Sequence, residues 1–212
     1  MVERLSKEQI RVLLELCLQN AEELIGEADI LLQAGKYARA TGLCIIAMEE
    51  LGKRTTLWRA IGFGEDETEW KAFWRRFRQH EVKISYILSE KYSVVMDPRR
   101  FEEFERQAAQ AGVLTSARKY AFYVDVLRGK PHLPSASFTK KKAVTAFKSA
   151  HAHLRLHQEL YPTDRGLELA EKWGNRRKGE THRQWAERVF GKDIPPALEK
   201  MVDEYDKAER KA

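Results

Sequence analysis

Three features of the 212-residue sequence predict an all-α fold. Apolar residues recur at steps of three, four and seven through most of its length; the breaks fall at short glycine and proline turns; and no run alternates convincingly with period two. A hydrophobic share of 43% suffices for a real core. With 33% charged residues, no apolar stretch approaches the roughly 18 residues that a membrane span needs. There is no internal repeat and no low-complexity tract. The expected organisation is a four- or five-helix bundle over residues 1–135, with 136–212 supplying a long helix and shorter ones packed on it.

The elements follow in order. Ser6 and Gln9 form a capping box, and Ile10, Leu13, Leu14, Cys17, Ala21, Leu24, Ile25, Ala28, Leu31 and Leu32 keep helical spacing until Gly35. A second helix starts near Tyr37, buries Ala40, Leu43, Ile46, Ala47 and Leu51, and ends at Gly62-Phe63-Gly64. The short link at Gly35 makes the two an antiparallel pair. Acidic residues 65–69 suit the N-terminus of a third helix. Its stripe runs through Trp70, Phe73, Trp74, Phe77, His80, Ile84, Ile87 and Leu88. Asp97-Pro98 caps a fourth, predicted to stop at Gly112. Residues 116–127 are assigned to helix over strand, 128–138 to a loop, and Thr139 to Leu160 to a long helix halted by Pro162. Shorter helices follow, broken at 174–179 and 191–196.

Cys17 and Cys44 sit in apolar helical sequence and belong to no C-x-x-C pair, so both are expected as reduced core residues. That leaves neither a disulfide scaffold nor a thiolate zinc site. Met1-Val2-Glu3-Arg4 is not followed by an apolar stretch, because Lys7, Glu8 and Arg11 intervene. No secretion leader is expected, and a cytoplasmic location with no membrane contact is. The net charge of +6 is unevenly placed: residues 1–66 hold 8 basic and 11 acidic groups, whereas 128–160 hold 7 and 1. A basic middle fits a polyanion partner such as RNA, although solvated lysines and arginines would give the same count.

No phosphate-binding glycine loop and no nucleophile elbow occur, and no cofactor is expected. The chemistry-bearing stretch is 70–83, where Lys71, Arg75, Arg76, Arg78, His80 and Lys83 alternate with Trp70, Phe73, Trp74 and Phe77. Arginine grips phosphate through paired donors, and histidine exchanges a proton near neutral pH. Cleaving RNA without a metal needs a base for the 2′-hydroxyl, an acid for the leaving oxygen and positive charge on the phosphate; arginine and histidine supply all three. On an unbroken helix Arg76 and His80 are neighbours, while Arg75 lies about 140° round from His80. Arg75 therefore needs a local break or a second subunit to share a site with it. Otherwise the aromatics are core and His80 a half-buried structural residue.

Glu49 and Glu50 follow the apolar run 43–48. Glu49 is spaced to pair with Lys53, and either glutamate could orient Arg75, Arg76 or His80. His153 and His157 share a helix face at the spacing of a zinc pair, but no third ligand is close in sequence, so no metal site is assigned. A basic face with Lys140, Lys141, Lys142, Lys148 and Arg155 fits that region better. Asn175 to Gly179, with Arg183, offers another phosphate contact or a solvated turn.

Three blocks together resemble the AbiV-type abortive infection proteins of bacteria, a family within the HEPN superfamily. They are Tyr37-Ala38-Arg39-Ala40 leading to Ala47-Met48-Glu49-Glu50-Leu51-Gly52-Lys53; Phe73 to His80 with Lys83; and Arg118-Lys119-Tyr120-Ala121-Phe122-Tyr123-Val124-Asp125. The resemblance covers roughly residues 8–135. It implies an up-and-down helical bundle that dimerises, often as a metal-independent endoribonuclease of phage defence. It also implies a catalytic arginine separated from a histidine by four to six residues, a spacing that Arg75 and His80 fit, with Arg76 standing where many members have Asn, Asp or His. The expected site is thus Arg75 and His80, with Arg76, Arg78 and Lys83 on the RNA phosphates and Glu49, Glu50 and Lys53 in support. Expected partners are a second copy, RNA, and a phage protein or an antitoxin. The alternatives are a non-catalytic module that binds RNA or protein to block translation or sense a phage protein, and a dimer interface made by the basic-aromatic block.

Overall fold

The computed structural model describes residues 2–63, 65, 67–93, 101–127, 129–159, 163–164, 167 and 180–191. Among these residues the fold is all-α apart from one small hairpin. Helix α1 (Lys7–Gln33) opens on the expected capping box: the Ser6 hydroxyl accepts from the Gln9 N–H at 3.1 Å, and the Gln9 side chain accepts from the Ser6 N–H at 2.8 Å. Gly35, at φ 72°, turns the chain where a side chain would be strained. Helix α2 (Tyr37–Ala60) then runs back along α1.

Helix α2 is the centre of the bundle. It packs against α1, α3 (Glu67–Arg78), α4 (His80–Ser93), α5 (Phe101–Phe122) and α7 (Lys140–Glu159). Its buried residues therefore surround the helix instead of forming one stripe, and they include Thr41, Gly42, Cys44, Ile45 and Met48 beside the predicted Ala40, Ala47 and Leu51. Leu43 and Ile46 are only half-buried. The core has two lobes along the α1–α2 pair. One joins Ala21, Ile25, Cys44, Met48, Leu51, Ile84, Ile87, Ala111, Ala150 and Leu154. The other joins Ile10, Leu14, Cys17, Leu57, Ile61, Trp70 and Phe73. The N-terminal half of α1 thus meets the C-terminal half of α2, as antiparallel pairing requires, and α7 contributes to the first lobe.

Several expected boundaries need correction. The stripe from 70 to 88 is not one helix, because Gln79 divides α3 from α4. Gly112 does not end α5, which continues to Phe122. A mid-helix glycine costs only about 1 kcal/mol, and burial of Ala111, Leu114, Ala117 and Ala121 offsets it. Residues 116–127 are helix only as far as Phe122. Strand β1 (Asp125–Leu127) then pairs antiparallel with β2 (Lys130–His132), Leu127 facing Lys130, with Gly129 at φ 76° in the turn. The stretch 128–138 is therefore not all loop: it holds β2 and the short helix α6 (Pro134–Ser137). Farther on, helix α8 (His182–Phe190) starts on a second capping box, Thr181 with Gln184. The cap expected at Asp97-Pro98 and the turn at Asn175 to Gly179 lie outside the described residues. Among those described, no helix is long and apolar enough to cross a membrane.

Both cysteines are buried free thiols. Burial pushes each up to about 12 from an ordinary value of 9.0, because the core disfavours the thiolate. At pH 8 the native protein is expected to leave a thiol reagent such as Ellman's uncoloured, and two thiols are expected to react in guanidinium. Because the folded thiols hold their protons above the unfolded value, this contribution to stability is complete below pH 9 and is lost as pH climbs toward 12.

Candidate functional site

The break at Gln79 is tight. Its N–H reaches the carbonyls of both Arg75 and Arg76 at 3.2 Å, closing α3, and its own carbonyl accepts the Lys83 N–H at 3.3 Å to begin α4. Arg75, Arg76 and Arg78 occupy the last turn of α3, opposite Glu67 and Glu69 in the first, an order the helix dipole favours. Trp70 and Phe73 enter the core, while Trp74 and Phe77 pack edge and face against Phe73. The aromatics of the block thus hold α3 to the bundle and leave Lys71, Arg75 and Arg78 exposed.

His80 opens α4. Its ring is 44% exposed, and Nδ1 lies 2.6 Å from Oε2 of Glu49, whose side chain is 4% exposed. A carboxylate can only accept, so Nδ1 carries the proton and Nε2 is left for proton exchange. Lys83, one turn along α4, brings its Nζ to 3.6 Å from the same oxygen. From α5, Arg118 places Nε 3.4 Å from Oε1, and among the described residues that oxygen accepts no hydrogen bond. Burial holds the Lys83 ammonium below its usual 10.5, with the Glu49 charge pulling the other way. One buried carboxylate therefore gathers an imidazole, an ammonium and a guanidinium from two other helices.

Gly52 makes this approach possible. It lies one turn from Glu49 on α2, and a Cβ there would fall 2.7 Å from the Lys83 carbonyl carbon and nearer still to its oxygen. Only glycine lets the backbone of α4 come this close. Lys53 pairs with Glu50 at 2.6 Å and not with Glu49, because Glu49 points into the bundle while Glu50 is at its edge. Lys53 also lies over the Phe77 ring at 5.6 Å.

The other expected site residues are placed differently. Arg75 is exposed beside a shallow depression lined by Val2, Glu3, Lys71, Trp74 and Arg78. Arg78 stacks over Trp74 at 5.6 Å, and Arg76 is half-buried. Among the described residues, none of the three makes a side-chain hydrogen bond or ion pair with His80 or Glu49. Sequence reasoning passed over Arg118 as a site residue, although it stands on the stripe of α5 that buries Ala111 and Ala121. It also missed Arg54, fully buried on α2, which reaches His157 Nδ1 at 3.0 Å and Thr163 Oγ1 at 3.2 Å and lies over Trp58. The His153–His157 spacing thus serves the core, with the His157 ring stacked on Trp58. Among the described residues, no three His, Cys, Asp or Glu side chains group as metal ligands.

The three blocks that carry Glu49, His80 and Arg118 all lie within residues 9–155, the span matched by the sequence model of the HEPN AbiV family, described as AbiV. The chain belongs to the AbiV family. The match runs through the hairpin into α7, so the AbiV domain includes most of the long helix that closes the first core lobe. Membership brings an abortive-infection, HEPN-type function. No curated protein and no solved structure matches the chain.

Proposed function

We propose that this AbiV-family chain is a metal-independent endoribonuclease whose action on RNA halts growth during phage infection. The observation that carries the reading is the 2.6 Å contact between buried Glu49 and half-exposed His80. A carboxylate behind an imidazole fixes its tautomer and stabilises the imidazolium formed when it takes a proton. In this reading Nε2 of His80 accepts the proton of a ribose 2′-hydroxyl. The freed oxygen attacks phosphorus, and the bond to the 5′-oxygen breaks, leaving a 2′,3′-cyclic phosphate. The departing oxygen takes a proton from the imidazolium of a second His80, supplied by a two-fold related copy. Arg75 holds the scissile phosphate, a role that a partner copy can fill across the dimer. Arg76 and Arg78 widen the anion site, Lys83, expected among its phosphate contacts but buried against Glu49, holds that carboxylate in place, and Glu50 with Lys53 brace its edge. A cytoplasmic location and a phage protein or antitoxin as regulator belong to the same proposal.

Purified protein is expected to cut single-stranded RNA in EDTA and to leave cyclic phosphate ends. His80→Ala should lower the rate by about 10²–10⁴-fold. Cutting unchanged in His80→Ala rejects the assignment. RNA binding that weakens steeply with salt, with no new termini, would favour instead the binding module that blocks translation.

A further inference from the structure

We infer that Arg118 is a second phosphate contact of this site and that its guanidinium grips the scissile phosphodiester of an RNA strand beside His80, together with the Arg75 that a partner copy brings. The inference rests on the ribonuclease reading and adds a residue from α5 to it. Glu49 holds the imidazole through Oε2 and the guanidinium through Oε1, so both groups flank a single carboxylate. The hold on Arg118 is loose: 3.4 Å is long for a charged hydrogen bond, and among the described residues Oε1 accepts none. The guanidinium is thus aimed by charge, and among the described residues its terminal N–H groups make no hydrogen bond. Its side chain is 26% exposed, against 5% for Lys83, so of the two cations on Glu49 it is the one a ligand can reach.

The charge count points the same way. The groups facing one another here are Glu49 and Glu50 against Lys53, Lys83 and Arg118. Glu50 and Lys53 neutralise each other, and Glu49 balances one of the remaining two cations. One positive charge is left with His80 neutral, and a second appears when it is protonated. A phosphodiester carries one negative charge, and a guanidinium offers it two parallel donors. Lys83, sealed in and held below its usual range, is a positioning residue that fixes Glu49.

The test uses the full-length protein and a 2′-O-methyl RNA that cannot be cut, with affinity measured across a series of KCl concentrations. Arg118→Ala is expected to reduce the slope of log affinity against log salt by about 0.7, the value of one phosphate contact on a single strand. On cleavable RNA its kcat/KM should fall at least about 10²-fold and recover in part when millimolar guanidinium is added, which a merely structural role would not allow. If Arg118→Ala fails to melt cooperatively, Arg118→Gln, which keeps a donor for Glu49, decides by the same slope. A folded variant with wild-type slope and affinity overturns the assignment of Arg118. Wild-type protein that leaves RNA intact, while the variant slope still falls, overturns the ribonuclease reading and keeps the phosphate contact.

Discussion

Gly52→Ala is expected to lower both stability and activity, although alanine is the better helix former by about 0.8–1 kcal/mol. The new Cβ would meet the Lys83 carbonyl group and lie 3.1 Å from the Lys83 Cα. These are backbone atoms inside α4, so no side-chain rotation relieves the clash and α4 must move away from α2. Forced overpacking of this kind costs about 1–3 kcal/mol beyond the propensity gain, and for a chain of this size each kcal/mol is worth about 2–4 °C. Retreat of α4 also carries His80 and Lys83 away from Glu49. A misplacement of about 1 Å is enough to cost about 10²-fold in rate. Gly26→Ala is the control: that glycine is exposed on α1 with nothing within 4 Å of its Cβ, so alanine there should stabilise. Gly52→Ala melting at or above wild type would remove the close approach as the reason for glycine.

The same contact explains what the sequence does and does not disclose. Helices α1 and α2 are legible because their punctuation is local: Ser6 with Gln9 at one end and Gly35 at the turn. The break at Gln79 is not, since Phe73, Phe77, Ile84 and Ile87 keep helical spacing straight across it. The hairpin escaped because three-residue strands are too short for a period to register. Glu49 announced a need by following six apolar residues, for a carboxylate in that position must find cations. His80 could be named as one of its candidates, but the other two come from farther along the chain. Lys83 and Arg118 stand on the buried stripes of α4 and α5, where an apolar residue would otherwise be, and that mismatch was the available signal. Arg54 carries the same mark on α2. Arg75 stood out for its spacing to His80, a one-dimensional property that says nothing of which groups converge in space.

Glu49→Gln should separate the electrostatic role of the carboxylate from its shape. Glutamine has nearly the same volume, and its carbonyl oxygen can still accept from Nδ1 of His80, so the ring keeps its tautomer and position. What is lost is the negative charge that stabilises the imidazolium as it forms. Activity is therefore expected to fall by about 10²–10⁴-fold, with little change in RNA affinity. Stability should fall as well, because Lys83 and Arg118 keep their charges without a counterion. Removing one partner of a buried pair costs about 3–5 kcal/mol, and the lower end applies here because Arg118 and His80 retain water. The loss should depend on pH in a stated direction. Lys83 already titrates below 10.5 in the folded protein, and without Glu49 it titrates lower still. The unfolded chain then binds more protons than the folded one over a wider range, so the variant gains stability as pH rises toward 10.5 and the gap to wild type narrows. Urea denaturation of both proteins at pH 7 and pH 10 measures that gap. A gap of equal size at the two values would mean that Lys83 does not depend on Glu49, and that the carboxylate serves His80 and Arg118 alone.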